Sequence, residues 1–389
     1  MNLMLIVLIF LQIVIGYNLV IPFFLYISHL LKKDKLIKRP DLIGSVADFA
    51  IIVTAFEQTS MLPEVINSIL KINYSNYLVY VVADNCDISN LQFASDKIII
   101  LRPPEILQSN TRSHFYAIRH FKRAHPRLTI VDSDNLVHPE YLNELNIFFD
   151  AEYQAVQGVR EARNLDTTYA CLDAARDIYY HFYDGKLLFD AGSSATLSGS
   201  GMAFTTQLYK DCLEQLDITG AGFDKVLQYE IVNKKIQIAF CENAIVYDAK
   251  TSHSDQLVKQ RSRWINTWFR YFKFGFKLLG RGVANLNWNQ FLFGIILLRP
   301  PLFIFLILSV LLMLITLFIA PLLSLVWLAG LIIFIISFFI ALKKSATDKR
   351  IYKSLYNIPV FIFYQIISLL KMRKANKYSV ATQHFYKKG

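Results

Sequence analysis

The chain has 389 residues, enough for one large domain or two ordinary ones, and 54% of them are hydrophobic, an excess concentrated at the two ends. Its formal charge of +11 is unevenly spread: eleven basic residues and one acidic lie between Lys343 and Gly389, and seven basic with no acidic between Lys259 and Arg281. Both stretches flank apolar runs, which suits anionic membrane lipid and argues against a nucleic-acid partner. Four scattered cysteines without zinc-site spacing exclude a zinc module.

In chain order, Met1 to Leu31 holds no lysine, arginine, aspartate or glutamate, and KKDK follows at once. The run lacks the basic start of a secretion signal and is long enough to stay as a membrane anchor (1–31). FAIIVTAF (Phe49 to Phe56) is a continuous apolar strand, MLPEVINSILK (Met61 to Lys71) has helical spacing, and NYLVYVVADNC (Asn76 to Cys86) is a second buried strand. KIIILRPP gives a short strand, SHFYAIRHFKRAH a helix, and LTIVDSD another strand. This alternation predicts an α/β domain over 40–255 with a mostly parallel sheet covered on both faces.

Ligands of such sheets gather outside the carboxyl ends of the strands. Glu57, Asp84, Asp132 and Asp134 all stand at predicted strand ends. No G-x-G-x-x-G follows the first strand and there is no G-x-x-x-x-G-K, so dinucleotide and P-loop readings lose their main support. Asp132 and Asp134 are two apart, so an extended segment sends both carboxylates to one side, where they repel. A hard divalent ion, Mg²⁺ or Mn²⁺, relieves that conflict and keeps positions open for phosphate. An isolated D-x-D is weak evidence for a metal, because many surface turns carry one.

Further along, TGAGFDKVLQYEI reads as a loop entering a helix with Asp224 in its first turn, where the dipole favours an acid in any case. QRSRWINTWFRYFKFGFKLL mixes aromatic and basic residues as a helix at a membrane surface does, and the interfacial segment is taken as 256–299. Pro300 to Leu342 has 43 residues without a charge, enough for two crossings with Pro321 near the turn. KKSATDKR follows, and the basic flanks place the central domain in the cytoplasm. Residues 351–370 form an apolar run interrupted by Lys353, Asn357, Pro359 and Gln365. An interfacial or re-entrant helix within a basic tail (343–389) is preferred, with a fourth span as the alternative.

Several pieces occur together in order: IVTAFEQ, VVADNCD, VDSDNLVHPEYL, VQGVREARN, LSGSGMAF, GFDKVLQYEI and QRSRW. In that combination the chain resembles the inverting family 2 glycosyltransferases of GT-A fold that include cellulose, chitin and hyaluronan synthases. The resemblance implies a UDP-sugar donor, with Glu57, Asp84, Asp132 and Arg263 at the nucleotide-sugar, and Asp84 reaching the base. It implies Asp134 with Asp132 as metal site, Asp224 as general base, and Gly199, Gly201, Gln260 and Trp264 beside the acceptor. The expected enzyme is a multi-pass protein of the cell inner membrane acting in polysaccharide biosynthesis on a lipid-linked or glycan acceptor. A processive synthase would need more channel wall than three spans supply, hence a homo-oligomer or an export partner. A catalytically inactive scaffold that keeps the fold is the non-enzymatic alternative.

Two positions depart from the family pattern. His114 stands where relatives carry a lysine, with Arg112 nearby as a substitute cation, and Phe223 stands where an acidic residue often precedes the base. His253 is a rival metal ligand, although a loop histidine is ordinarily solvated.

Overall fold

The computed structural model describes residues 3–32 and 46–375. Most of the KKDK flank, the expected domain start at 40 and the tail beyond Ala375 lie outside the described residues. The N-terminal run is a single helix, α1 (Leu3–Leu31). Then β1 (Phe49–Phe56) is followed by α2 (Leu62–Ile69), β2 (Tyr77–Asp84), β3 (Ile98–Leu101), α3 (Asn110–Arg119), β4 (Arg127–Asp132), β5 (Leu136–Val137) and α4 (Tyr141–Asp150). β1 pairs in parallel with β2 and β4, and β3 extends that side. Alternate residues explain the uninterrupted apolar runs. Phe49, Ile51 and Val53 pack with α2 and α4, while Ala50 and Ile52 pack with α3 on the opposite face.

The sheet is completed by β6 (Ala155–Ala162), β7 (Met202–Thr205) and β8 (Ile238–Asp248), in the order β3-β2-β1-β4-β7-β6-β8-β5. β7 runs antiparallel to both β4 and β6, so the sheet is mixed beyond β4. Between β6 and β7, α5 (Thr168–Tyr180) runs straight into a π-helix, His181–Leu187, and a last turn, α6 (Leu188–Asp190). α7 (Thr206–Leu213) and α8 (Phe223–Asn233) precede β8. The expected interfacial segment is three helices: α9 (Ser254–Tyr271), α10 (Lys273–Ala284) and α11 (Trp288–Leu298). After them come α12 (Leu302–Ile319), α13 (Pro321–Lys344), α14 (Lys349–Ser354) and α15 (Ile358–Lys371).

Four helical stretches among the described residues are long and apolar enough to cross a membrane: Leu3–Leu31, Leu302–Ile319, Pro321–Lys344 and Lys349–Lys371. The first three pack on one another. Gln12 Nε2 donates to the Leu323 carbonyl (2.8 Å), and Trp327, 2% exposed, lies against Gly16. α15 packs elsewhere, on α9, where Ser262 Oγ donates to the Ser368 carbonyl (3.0 Å) and Asn266 Nδ2 to that of Met372 (3.1 Å).

Three helix ends dock on the domain. At the end of α1, His29 Nδ1 lies 2.9 Å from an Asp190 carboxylate oxygen. Before α12, Arg299 pairs with Asp184 of the π-helix, both buried. At the end of α13, Leu342 packs with Cys171 and Ala174 of α5. α1 thus ends, α12 starts and α13 ends on the side of the α/β domain. Arg299→Ala strands the Asp184 carboxylate in the interior and should destabilise the fold by about 3–5 kcal/mol. Arg299→Met with Asp184→Leu removes both charges and should recover most of that loss. Thermal melting of the detergent-purified variants checks the comparison, and equal loss in the double variant would contradict it.

Candidate active site

One cavity of about 1690 Å³ reaches from the carboxyl ends of β1 and β4 to the apolar helices. Asp132, Asp134, Gly199, Asp224, Gln260, Arg263 and Trp264 all line it; Glu57, Asp84 and Gly201 do not. Asp132 closes β4, and its backbone N–H donates to Ser200 Oγ (3.1 Å). Asp134 lies in the turn that follows. β5 ties that turn to β8 through the pairs Leu136↔Tyr247 and Val137↔Val246, which brings Asp248 beside it. Buried Asn135 spans the gap, its Nδ2 donating to Asp134 Oδ1 (3.1 Å) and Asp248 Oδ1 (3.2 Å).

Burial, and then the neighbouring Asp134 charge, push the Asp132 carboxyl up to about 7, with Asp248 and Asp224 adding to the effect against Arg160. Asp248 itself resists burial, because Arg160 and Lys250 hold it down at about 2. The Arg160 guanidinium is 2.6 Å and the Lys250 ammonium 2.7 Å from Asp248 Oδ2, and Lys250 also pairs with Asp177. Asp248 is therefore compensated within the protein, and Asp132 and Asp134 line the cavity beside it. Among the described residues no three of His, Cys, Asp and Glu come together to hold a metal. Mg²⁺ is commonly held by one or two carboxylates with water and substrate phosphate completing its shell, so this pair fits such an ion without a third protein ligand. His253 stands exposed before α9 and does not line the cavity.

Asp224 occupies the first turn of α8, as its sequence context implied. The helix begins at Gly222, whose φ is 104°. A Cβ there would come within 2.6 Å of Thr267 and 2.7 Å of Tyr271, so glycine lets α8 start directly beneath α9. That contact places Asp224 under the helix carrying Gln260, Arg263 and Trp264. The Lys225 ammonium lies 3.2 Å from Asp224 Oδ2 and donates to the Leu197 carbonyl (3.0 Å). Gly199, at φ 92°, leaves open space where a side chain would stand, while Gly201 sits behind it against Val246.

The guanidinium groups of Arg176, on α5, and Arg261, on α9, stand 4.4 and 4.3 Å from the ring centroid of Trp264 on α9. Arg261 is buried and pairs with Asp173. Gln260 Oε1 is buried with no hydrogen-bond partner among the described residues. Burial lowers the pKa of Arg263 from its ordinary value, yet a guanidinium stays charged.

Asp84 and Glu57 sit apart from this group. Asp84 Oδ1 accepts from the Leu107 N–H (2.9 Å) and Oδ2 from the Gln108 N–H (2.7 Å), so the carboxylate that the resemblance assigns to the base is engaged by backbone. Glu57 is exposed at φ 59° just beyond β1. The two family departures meet each other. The His114 and Phe223 rings are 5.1 Å apart, edge to face, and His114 Nδ1 lies 2.7 Å from the Tyr209 hydroxyl. Burial lowers His114 to about 3, so it is neutral. Arg112 does not stand in for the missing cation at the cavity, because its guanidinium is paired with Asp217 at 2.7 Å.

Residues 47–267, more than half the chain, match the family described as Glycosyltransferase like family 2, and the chain belongs to that family. It is a glycosyltransferase with a GT-A-like α/β domain between apolar helices. Among solved structures it is similar to the mannosyltransferase PcManGT from Pyrobaculum calidifontis in complex with GDP-Man and Mn²⁺, at 14% identity and a TM-score of 0.51, over 92% of this chain and 97% of that one. A second similarity is to S. aureus TarS 1-349 in complex with UDP-GlcNAc, at 16% identity and a TM-score of 0.41, over 60% of this chain and 66% of that one. No curated protein sequence matches this chain.

Proposed function

We propose that this glycosyltransferase moves a sugar from a UDP-sugar to a hydroxyl of a lipid-linked or polysaccharide acceptor at the cytoplasmic membrane face, with inversion, in polysaccharide biosynthesis. The supporting observation is that Asp132, Asp134, Asp224 and the Gln260–Trp264 segment line one cavity where the apolar helices meet the domain. Lys343 and Lys344 end α13 on the domain side, which suits a cytoplasmic domain. The packing of α15 on α9 favours a helix lying at the interface over a fourth crossing.

Asp132 and Asp134 would hold Mg²⁺ or Mn²⁺, which when bound offsets the charge of the departing nucleoside diphosphate. Asn135 keeps Asp134 oriented, and Arg263 supplies a fixed positive charge facing the diphosphate. Trp264, its ring in contact with the guanidinium groups of Arg176 and Arg261, and Gln260 position the acceptor. Asp224 takes the hydroxyl proton as the acceptor oxygen attacks the anomeric carbon from the side opposite the leaving group. Direct displacement inverts the configuration and needs no second carboxylate to protonate a sugar leaving group.

Screening nucleotide release across UDP-glucose, UDP-N-acetylglucosamine, UDP-galactose and UDP-glucuronate tests the reading. GDP-mannose belongs in the panel because PcManGT binds GDP-Man. One UDP-sugar should release UDP in a divalent-ion-dependent manner. Background rates with every donor would overturn the assignment of these donors and favour the scaffold alternative.

A further inference from the structure

The cavity is larger than its donor requires. At about 1690 Å³ it exceeds the roughly 300–1,000 Å³ typical of a small-molecule site. Part of its wall is the apolar hairpin. Leu306 and Val310 of α12, Leu331, Ile335 and Phe339 of α13, and Phe361 of α15 all line it. The α12 positions are four apart, as are the α13 positions, so each set forms one stripe along its helix. From Leu331 to Phe339 the stripe extends about 12 Å at 1.5 Å per residue. Ile335 and Phe339 line the cavity and are also 53% and 48% exposed, so the slot opens sideways on the face that meets hydrocarbon in a membrane.

Where the apolar slot meets the polar chamber, the buried pair Arg299 and Asp184 leaves two atoms unused. Arg299 Nη1 and Asp184 Oδ1 have no hydrogen-bond partner among the described residues, and both side chains line the cavity. Buried polar atoms without partners are costly, and a polar linkage in a ligand that runs from the slot into the chamber would satisfy them. The residues come from a π-helix on one side and the entry to α12 on the other. π-Helical turns interrupt ordinary helices most often at functional sites.

We infer that the acceptor is a membrane lipid whose long hydrocarbon tail enters the slot between α12 and α13 sideways from the bilayer, with its hydroxyl-bearing head at Asp224. The inference rests on the transferase reading above and names its acceptor class. A new bond forms between the acceptor oxygen and the anomeric carbon, and the bond from that carbon to the diphosphate oxygen breaks. The bonding pair leaves with the nucleoside diphosphate, and the hydroxyl proton passes to Asp224. A hydrophilic polymer has no use for an apolar slot with a lateral mouth.

Membranes containing the full chain are incubated with each radiolabelled donor, and the product is partitioned between organic and aqueous phases. Wild type should place label in an organic-soluble product. Leu331→Trp, which fills the slot, should lower that label by about tenfold or more, on the scale by which a hydrophobic pocket discriminates a steric mismatch. Leu328→Trp, on an exposed position of the same helix outside the cavity, should match wild type and so controls for folding. Mild alkali releases label from an acylglycerol-type tail and spares a prenyl tail, which distinguishes the two sources. A water-soluble product, transfer indifferent to Leu331→Trp, or UDP binding without organic-soluble product would overturn the lipid acceptor while the transferase reading stands. Absence of both transfer and UDP binding would instead overturn the transferase reading.

Discussion

Asp224→Asn should leave UDP binding near the wild-type value and lower sugar transfer by a factor of about 10²–10⁴, the usual contribution of a positioned general base. Asn keeps the size and a hydrogen-bonding oxygen, so the start of α8 and its packing under Thr267 and Tyr271 are preserved. What disappears is the site that accepts the hydroxyl proton. The loss should fall on kcat, because Asp224 acts once both substrates are seated. Steady-state transfer kinetics beside calorimetric UDP binding separates the effects. Turnover equal to wild type would remove Asp224 from the mechanism, and equal loss of UDP affinity would make it a binding residue. The Lys225 contact sharpens the test, since Lys225→Met removes that neighbouring charge while leaving the carboxylate in place.

The strands that build the sheet's parallel half were legible because their chemistry is uniform: runs buried on both faces cannot alternate, and β1, β2 and β4 do not. Asp224 was legible as a helix-start residue because its cue is local. The charge network was not. Arg160 and Asp248 are 88 residues apart and meet only because β6 and β8 pair in the register Arg160↔Val246 and Ala162↔Asp248. Asn135 stood in plain view within VDSDNL, but its bridging role needs Asp248 beside it. The π-helix has no sequence cue either, since HFYDGKL obeys no spacing that separates it from an ordinary helix. Strand-end position and the family resemblance grouped Glu57 and Asp84 with the other acids. The loop after β3 adds what the sequence did not show, because two of its N–H groups donate to the two Asp84 oxygens. His114 and Phe223 looked like independent departures, yet they form one contact. A neutral imidazole packed against an aromatic ring occupies the two positions at which this sequence departs from the family pattern it resembles.

Asp134→Ala should abolish metal-dependent UDP binding, weakening apparent Mn²⁺ affinity by at least about 100-fold, since removing even the outer-shell partner of a metal ligand costs 10–100-fold. Asp132 and Asp134 are the carboxylates at the end of β4 and in the turn after it, and Asp248 is already engaged by Arg160 and Lys250. The substitution also removes the main charge that raises Asp132 beyond its burial, so the Asp132 carboxyl should ionise more readily in the variant. Relieving a like-charge contact favours the folded state, and thermal melting without metal, which reads the loss of the contacts Asp134 makes, the Asn135 hydrogen bond among them, separates destabilisation from lost metal binding. Mn²⁺ titration followed by calorimetry or electron spin resonance, with and without UDP, reads the effect directly. Undiminished Mn²⁺-dependent UDP binding in Asp134→Ala would show that this pair faces the cavity for another reason, and the mutual repulsion of Asp132 and Asp134 would then need a different account.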